Sequence, residues 1–289
     1  MKNTICRRRV VLLSLILSCV SMWCQAQEKP QASRINSGDT VARVAAVTPI
    51  GHSLSARLLD GTGIETDFLP PERLPMNRIE SWLRKNRSRK FDRYDALISI
   101  SDAVPAFSFS TTLRQTNIRL VTIDIAYARL PQGERVVLSN SRDYFWLNSN
   151  NLLLMLGILK RDLGLLWPEH RERINQNYQR ASAEVRKYNL DVDNLLFDND
   201  IAVLVFDKPG LKPLAGSLSM DVMTQVEAKT LAMPTLRIGG GRTRTGQSSS
   251  TATPAELLHW QIDDLSRFSE KPLEARLQNN LLALQQVFE

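Results

Sequence analysis

Three histidines are the side chains of this sequence best suited to bind a metal or exchange a proton near neutral pH: His52, His170 and His259. They lie far apart along the chain, and none has a second potential ligand at the short spacing that metal sites use. We place His52 in a loop after the first strand, His170 in the first turn of a long helix and His259 on a helix beside Trp260. His52 precedes Ser53, but neighbours in sequence cannot aim at each other as a nucleophile and its base must. The histidine pattern predicts no catalytic residue, no cofactor and no metal site.

A glycine-containing stretch at residues 241–248 superficially matches a phosphate-binding loop. Gln247 takes the place of the lysine that such loops require, and the residues that follow do not have the pattern of a helix start. We interpret the stretch as a lip of a cleft, on which Arg242 and Arg244 can meet an anion.

A run of cations follows a predicted helix in the first third of the chain. Such runs usually form a solvated helix face, and the alternative is a contact with a transporter or with an anionic membrane. The run consists of Arg84, Lys85, Arg87, Arg89, Lys90 and Arg93.

The first 26 residues have the layout of a signal peptide. A basic start precedes an apolar run over residues 10–23, and small residues up to Ala26 suit the cleavage position. We predict cleavage after Ala26 and a Gram-negative periplasmic location. The alternatives are an uncleaved anchor, for which the apolar run is short, acylation at Cys19 or Cys24, and export by the twin-arginine route.

All three cysteines, Cys6, Cys19 and Cys24, lie in that segment, so the mature chain would contain none. This excludes a disulfide framework, a thiolate metal site and a cysteine nucleophile. The net charge of +7 falls once the basic start is removed, and the mild excess that remains does not indicate nucleic acid as a partner. With 43% hydrophobic residues, the 289-residue chain can build one large domain or two medium ones.

Hydrophobic periodicity predicts the elements that position these residues. Short apolar runs bounded by proline and glycine alternate with helical patterns, which is typical of a parallel α/β fold. The predicted strands cover residues 40–47, 64–69, 96–100, 118–126, 201–206 and 234–238. The clearest predicted helices cover residues 53–59, 152–166, 168–196, 220–231 and 272–288, and residues 239–254 are predicted to form a loop.

The longest helical pattern, at residues 168–196, organises the rest of the chain. Ile174, Val185 and Val192 belong to a narrow apolar stripe with steps of three and four, whereas the other faces are polar or charged. At about 1.5 Å per residue the helix is roughly 40 Å long, which exceeds the width of one small lobe. A coiled-coil arm is one interpretation, and we prefer a strut laid across the backs of two lobes.

The predicted fold is therefore α/β, with two parallel-sheet lobes joined by a long backbone helix and a cleft between the lobes. The predicted division has five parts. They are a signal peptide (1–26), a polar N-terminal segment (27–39), an N-terminal α/β lobe (40–147), the buried helix with the long linking helix (148–197), and a C-terminal α/β lobe (198–289).

This order of elements resembles the periplasmic solute-binding proteins of zinc and manganese ABC importers. After its second strand the family carries an Asp-Pro-His-x-Tyr-Glu-Pro-Thr-Pro-like motif. In this sequence residues 67–75 (DFLPPERLP) keep Asp67, Glu72 and Pro75, while Leu69 stands at the histidine position.

A second motif, Asp-Pro-His-x-Trp-Leu-Asp, closes the first lobe in that family. Residues 143–148 (DYFWLN) keep Asp143, Trp146 and Leu147, while Phe145 stands at the histidine position. The resemblance covers roughly residues 41–288, and it rests on the shared order and spacing of motifs that are individually weak.

The departures from the family concern the residues that bind the metal. Family members usually hold Zn²⁺ or Mn²⁺ with three histidines and one carboxylate. Two histidine positions are Leu69 and Phe145, the third falls near Asp207, and the carboxylate expected after the next strand falls among the glycines at 239–241. Because leucine and phenylalanine cannot coordinate a cation, the resemblance implies a fold that has lost its usual metal site.

Three functional hypotheses follow. The first is a monomeric periplasmic component of, or accessory to, a metal-type ABC importer, not an enzyme, which binds a small ligand or a partner protein and works with an inner-membrane permease. The second is a zinc or manganese carrier with His52, Glu72 and Asp207 as unorthodox ligands. The third, an exported hydrolase, is disfavoured because no nucleophile–base pair is found. The candidate cleft residues are His52, Leu69, Glu72, Phe145, Asp207, Arg242 and Arg244.

Overall fold

The computed structural model describes residues 41–88, 91–126, 130–131, 133–138, 140, 143–240 and 258–289, and these residues contain two four-stranded parallel sheets. The first lobe alternates strands and helices. Its elements are β1 (Arg43–Ala46), α1 (Pro49–Leu59), β2 (Glu65–Phe68), α2 (Met76–Lys85), β3 (Ala96–Ser99), α3 (Ser110–Thr116) and β4 (Val121–Asp124). The strand order is β2–β1–β3–β4, so β2 forms one edge of the sheet.

The second lobe repeats this arrangement with the order β6–β5–β7–β8 once its elements are numbered along the chain. They are β5 (Val203–Phe206), β6 (Asp221–Val222), α6 (Gln225–Thr230), β7 (Thr235–Gly240), β8 (Leu258–Ile262) and α7 (Leu273–Phe288). Short 3₁₀ helices occupy Pro105–Phe107, Phe145–Leu147, Pro168–His170 and Pro209–Ser217.

Two predictions for the second lobe are wrong. His259 lies on β8 and not on a helix, because Trp260 and Ile262 alternate as buried residues that pair with β7. The helix predicted at 220–231 is shorter, since residues 221–222 form β6 before α6 begins. Thr224 and Glu227 form a reciprocal capping box that sets this start.

The two central strands of the first sheet, β1 and β3, are buried on both faces, as is usual in parallel sheets. Val44, Ala45 and Ala46 are fully buried, and their small side chains let α1 pack directly on the sheet. Gly51 suits this close approach, because a Cβ there would lie 3.2 Å from Cγ2 of Ile98, closer than ordinary van der Waals contact.

Two long helices connect the lobes, α4 (Ser149–Leu166) and α5 (Arg171–Asp198). With 28 residues, α5 is about 42 Å long at 1.5 Å per residue. It packs against α4, against α1 of the first lobe and against α7 of the second. Ile174, Val185 and Val192 are fully buried along one stripe. The predicted linking helix is therefore confirmed.

One continuous apolar core joins the two lobes. Ile98 of the first sheet and Trp260 of the second belong to the same buried cluster, and Val41–Glu289 form one compact unit. Polar contacts also cross between the lobes, since Arg57 of α1 pairs with Glu274 of α7. In the described part of the chain, no helix combines the length and apolar character needed to span a membrane. The predicted signal peptide lies outside the described residues.

Candidate functional site

A groove of about 550 Å³, here called the interlobe groove, opens between the lobes beside the end of β2. Most of its wall belongs to the first lobe, and Phe268, which follows β8, contributes from the second. Three of the residues singled out from the sequence, His52, Leu69 and Glu72, meet here. The other lining residues are Thr66, Asp67, Phe68, Phe91, Arg93 and Tyr94.

His52 lies inside α1, not in the loop predicted for it. The helix begins earlier than expected because Thr48 caps it, accepting a hydrogen bond from the backbone N–H of Gly51 at 3.2 Å. Burial lowers the pKa of His52, although its hydrogen bond to the Thr66 carbonyl and the charge of Asp67 oppose the shift. The imidazole is therefore neutral at pH 7, a form that can accept one hydrogen bond and donate another.

An aromatic contact closes one end of the interlobe groove. The rings of Phe68 and Phe268 stack with centroids 5.1 Å apart and an interplanar angle of 13°. The centroid of the His52 ring lies 4.9 Å from that of Phe268. Phe268 was missed in the sequence because a lone aromatic in a polar loop carries no periodic signal. Its position shows that the second lobe covers β2 through an apolar contact.

Asp67 keeps the aspartate of the first motif, and its Oδ2 is engaged in three hydrogen bonds. Its Oδ2 accepts from Nη2 of Arg93 at 2.9 Å, from the hydroxyl of Tyr94 at 2.9 Å and from Nη1 of Arg43 at 3.4 Å. A cation approaching this oxygen would have to displace two guanidinium groups. Asp67 therefore acts as a structural anchor for the wall of the groove.

Leu69 and Glu72 differ in what they offer to a ligand. The backbone N–H of Leu69 donates to the carbonyl of Ala46 at 3.0 Å, which fixes the residue at the end of β2. Its half-buried side chain packs against the core, whereas Glu72 is exposed on the rim. Of these two residues, only Glu72 presents a carboxylate to the groove.

Phe145 lies elsewhere, inside the protein. It is 1% exposed, and its ring makes an edge contact with Trp146 at 5.1 Å between centroids. Nδ2 of Asn151 donates to its carbonyl at 2.8 Å. Phe145 does not line the interlobe groove, so the structure does not bring the two predicted apolar replacements into one pocket.

Asp207 also lies apart from His52 and Glu72. It continues the alternation of Val203 and Val205, which pack against α6 on the outer face of the second sheet. Its Oδ1 accepts a hydrogen bond from Nε of Arg237, and its Oδ2 lies 3.6 Å from Nε2 of His259. The charge of the carboxylate is therefore balanced by Arg237 on the neighbouring strand β7. Arg242 and Arg244 lie outside the described residues.

Two carboxylates at the end of β8 were missed in the sequence. Asp263 and Asp264 follow β8, whose residues His259 and Trp260 were predicted to lie on a helix, and the short alternation of Leu258, Trp260 and Ile262 was the one local signal for a strand. The carboxylates at this edge of the sheet thus come after β8, whereas β7 ends in glycines.

Arg276 of α7 holds Asp263 in a bidentate ion pair. Its Nε donates to Oδ2 at 2.7 Å and its Nη2 to Oδ1 at 2.8 Å, while Nη1 lies 3.5 Å from Oγ of Ser53 in the first lobe. Burial raises the pKa of Asp263, but the hydrogen bonds and charge of Arg276 outweigh it and hold this pKa below its usual range. The pair therefore ties α7 to the end of β8 and holds the guanidinium group where its Nη1 contacts α1.

The residues at the positions that the resemblance marks for a metal do not fit Zn²⁺ or Mn²⁺. Leu69 and Phe145 have no donor atom, and Asp207 is paired with Arg237. Across the described ranges, no group of three or more histidine, cysteine, aspartate or glutamate side chains is arranged to hold a metal ion.

Solved structures share this fold. The solute-binding protein FpvC from Pseudomonas aeruginosa, in complex with Mn²⁺, matches with a TM-score of 0.57 at 14% identity, over 85% of this chain and 99% of that one. The metal-dependent lipoprotein YcdH from Bacillus subtilis gives 0.63 at 10% identity, over 85% and 98%. Zn(II)-bound AdcA from Streptococcus pneumoniae gives 0.59 at 11% identity, over 86% and 57%.

No protein-family model matches the sequence, and no curated protein matches it. Identities this low establish a common fold and do not transfer a ligand. The comparisons confirm the two-lobed α/β architecture with its linking helix, and they confirm the resemblance at the level of fold.

Proposed function

We propose that this chain is a divergent solute-binding protein of the metal-importer fold, which has lost the metal site and uses the interlobe groove for a small non-metal solute. The observation that carries the proposal is the combination of this fold with Leu69 and an arginine-paired Asp67 at the end of β2. Since the solved structures that share this fold include the solute-binding protein FpvC, we propose that the chain binds a solute and is not an enzyme.

The chemistry of the interlobe groove supports an organic solute. It combines the stacked rings of Phe68 and Phe268 with the neutral His52 and the exposed carboxylate of Glu72. The Arg93 guanidinium, 61% exposed, lies 5.0 Å from the centre of the Tyr94 ring and presents a cation to the opening. Such a mixture of apolar surface and a few charged groups is typical of small-molecule sites.

The proposed cellular role is extracytoplasmic, as a monomer working with an ABC permease of the inner membrane. The resemblance to the solute-binding proteins of ABC importers supports this role, and the structures that share the fold include the solute-binding protein FpvC and the lipoprotein YcdH. The alternative is a zinc or manganese carrier, and a metal titration separates the two roles.

The purified protein, titrated with Zn²⁺ or Mn²⁺ against a competing chelating dye, should show no tight stoichiometric uptake. Apolar side chains at Leu69 and Phe145 supply no ligand, and the remaining carboxylates are separated or paired with arginine. Elemental analysis and native mass spectrometry of protein purified from the periplasm should find neither metal, and should reveal any bound organic solute.

Leu69→His provides a matched variant, with Leu74→His as its control. Both leucines are half-buried in the first lobe, but only Leu69 lines the interlobe groove, near His52 and Glu72. Weak Zn²⁺ binding should appear in Leu69→His alone. If the native protein instead takes up one Zn²⁺ tightly, and Glu72→Ala or Asp207→Ala abolishes it, the chain is a metal carrier.

N-terminal sequencing of the exported protein should begin near Gln27. The basic start and apolar run over residues 10–23 predict this cleavage. Replacing Ala26 with a bulky residue should slow processing, with Gln27→Ala as the control. A product that retains Met1, or one acylated at Cys24, would contradict the prediction.

A further inference from the structure

A second groove of about 490 Å³ lies between α2 and α3, here called the arginine groove. No residue lines both this groove and the interlobe groove. Buried Leu83 contributes to the arginine groove from the core side. Its polar lining consists mainly of Arg84, Arg87, Ser108, Thr111, Thr112 and Gln115.

The positive charge in the arginine groove is poorly balanced. Glu80 is the only acidic residue of the lining, and its Oε1 lies 4.0 Å from Nε of Arg84, at the outer limit of an ion pair. Arg87 has no acidic side chain within that distance among the described residues. Arg84 lies in the last turn of α2 and Arg87 just after the helix, so both guanidinium groups line one groove that holds a single carboxylate, and an anion bound there would offset their excess charge.

The opposite wall supplies neutral donors. Ser108, Thr111 and Thr112 carry hydroxyl groups, and Gln115 carries an amide. None of these four side chains hydrogen-bonds to another residue in the part of the chain that the structure describes, so all four are available to a ligand. Guanidinium groups facing hydroxyl donors are the combination that recognises phosphate oxygens.

We propose that the arginine groove binds an oxyanion of the phosphate type. Arg84 and Arg87 supply the charge, and the hydroxyl groups of the α3 side complete the hydrogen bonds. The phosphate comes either from a free phosphate compound or from the headgroup of an anionic phospholipid. The site is independent of the interlobe groove, so it stands whatever solute that groove takes.

The test compares two probes with the full mature chain. Inorganic phosphate is titrated by calorimetry, and phosphatidylcholine vesicles with and without phosphatidylglycerol are tested by co-sedimentation. Phosphate binding identifies a free phosphate compound as the source, and binding only to the anionic vesicles identifies a lipid headgroup. If the native chain binds neither probe, the proposal is wrong.

Two double variants separate a built site from diffuse charge. Arg84→Gln with Arg87→Gln should weaken binding about tenfold or more, since each charge-assisted hydrogen bond contributes a factor of that order. Arg78→Gln with Lys85→Gln removes the same charge from exposed positions of α2 outside the groove and should leave affinity nearly unchanged. Equal losses in both variants would overturn the proposal.

The arginines could instead only stabilise the end of α2, because cations interact favourably with the helix dipole there. In that case the first double variant would have a lower thermal stability but unchanged phosphate binding, which would contradict the proposal. If the first double variant fails to fold, Ser108→Ala with Thr111→Val tests the hydroxyl wall. That variant should weaken phosphate binding several-fold, and unchanged binding would contradict the proposal.

Discussion

Replacing Val185 with aspartate should lower the free energy of unfolding by about 4 kcal/mol, as expected when an unpaired charge is placed in a core. Val185 is fully buried on the stripe of α5 that contributes to the core of both lobes. For a chain of this size the loss corresponds to a fall of roughly 10 °C in the melting temperature. Thermal and urea unfolding monitored by circular dichroism measure it.

Leu190→Asp is the matched control for this prediction. Leu190 is on the same helix but is 59% exposed, so its change should stay within about 0.5 kcal/mol. Val185→Asn separates charge from polarity, and its difference from Val185→Asp should vanish once the pH falls below the usual aspartate pKa of about 3.9. Equal melting temperatures for Val185→Asp and the native protein would show that the stripe faces water.

Asp263→Asn should cost about 4 kcal/mol, because it leaves the cation of Arg276 buried without its partner. Arg276→Met should cost less, about 2 to 3 kcal/mol. The two expected losses of stability differ because of burial. The side chain of Arg276 is 2% exposed, whereas that of Asp263 is 40% exposed and can be hydrated when it is left unpaired. Equilibrium unfolding of both variants and of the double variant gives the coupling between them.

The ion pair also predicts a pH dependence. Because the pKa of Asp263 is held below its usual range, its stabilising contribution is present above the unfolded pKa. It is lost as the pH falls through the folded value, below about 3.9. The native protein should therefore lose stability more steeply in acid than Arg276→Met does. This account would be contradicted if the free energy of unfolding of the native protein and of Arg276→Met fell in parallel as the pH decreases. It would also be contradicted if Arg276→Met lost more stability than Asp263→Asn.

The fold was largely predictable because its signals are local. The apolar run that contains Val44 and Ala45, and the periodic stripe of α5, depend only on neighbours along the chain. The strand β8 was missed because Leu258, Trp260 and Ile262 form a short alternation after a glycine- and serine-rich stretch. A pattern of this length does not separate a strand from a helix without its partner β7.

The candidate site was predictable only in part. His52, Leu69 and Glu72 meet because all three lie near the carboxyl edge of the first sheet, which topology predicts. Asp207 does not join them because its place in the alternation of β5 directs it to the outer face, beside Arg237. The three hydrogen bonds to Asp67 come from Arg43, Arg93 and Tyr94, which are distant in sequence. Such contacts produce no spacing pattern from which they could be predicted.

The pairing of α1 with α7 constrains the order in which the chain can fold. Arg57 contacts Glu274 and Arg276 contacts Ser53, across more than 200 residues of sequence. The first lobe therefore cannot complete its burial until the residues of α7 are available to pack against it. Its apolar surface stays open to chaperones and proteases until α7 arrives, and such distant contacts make folding slow.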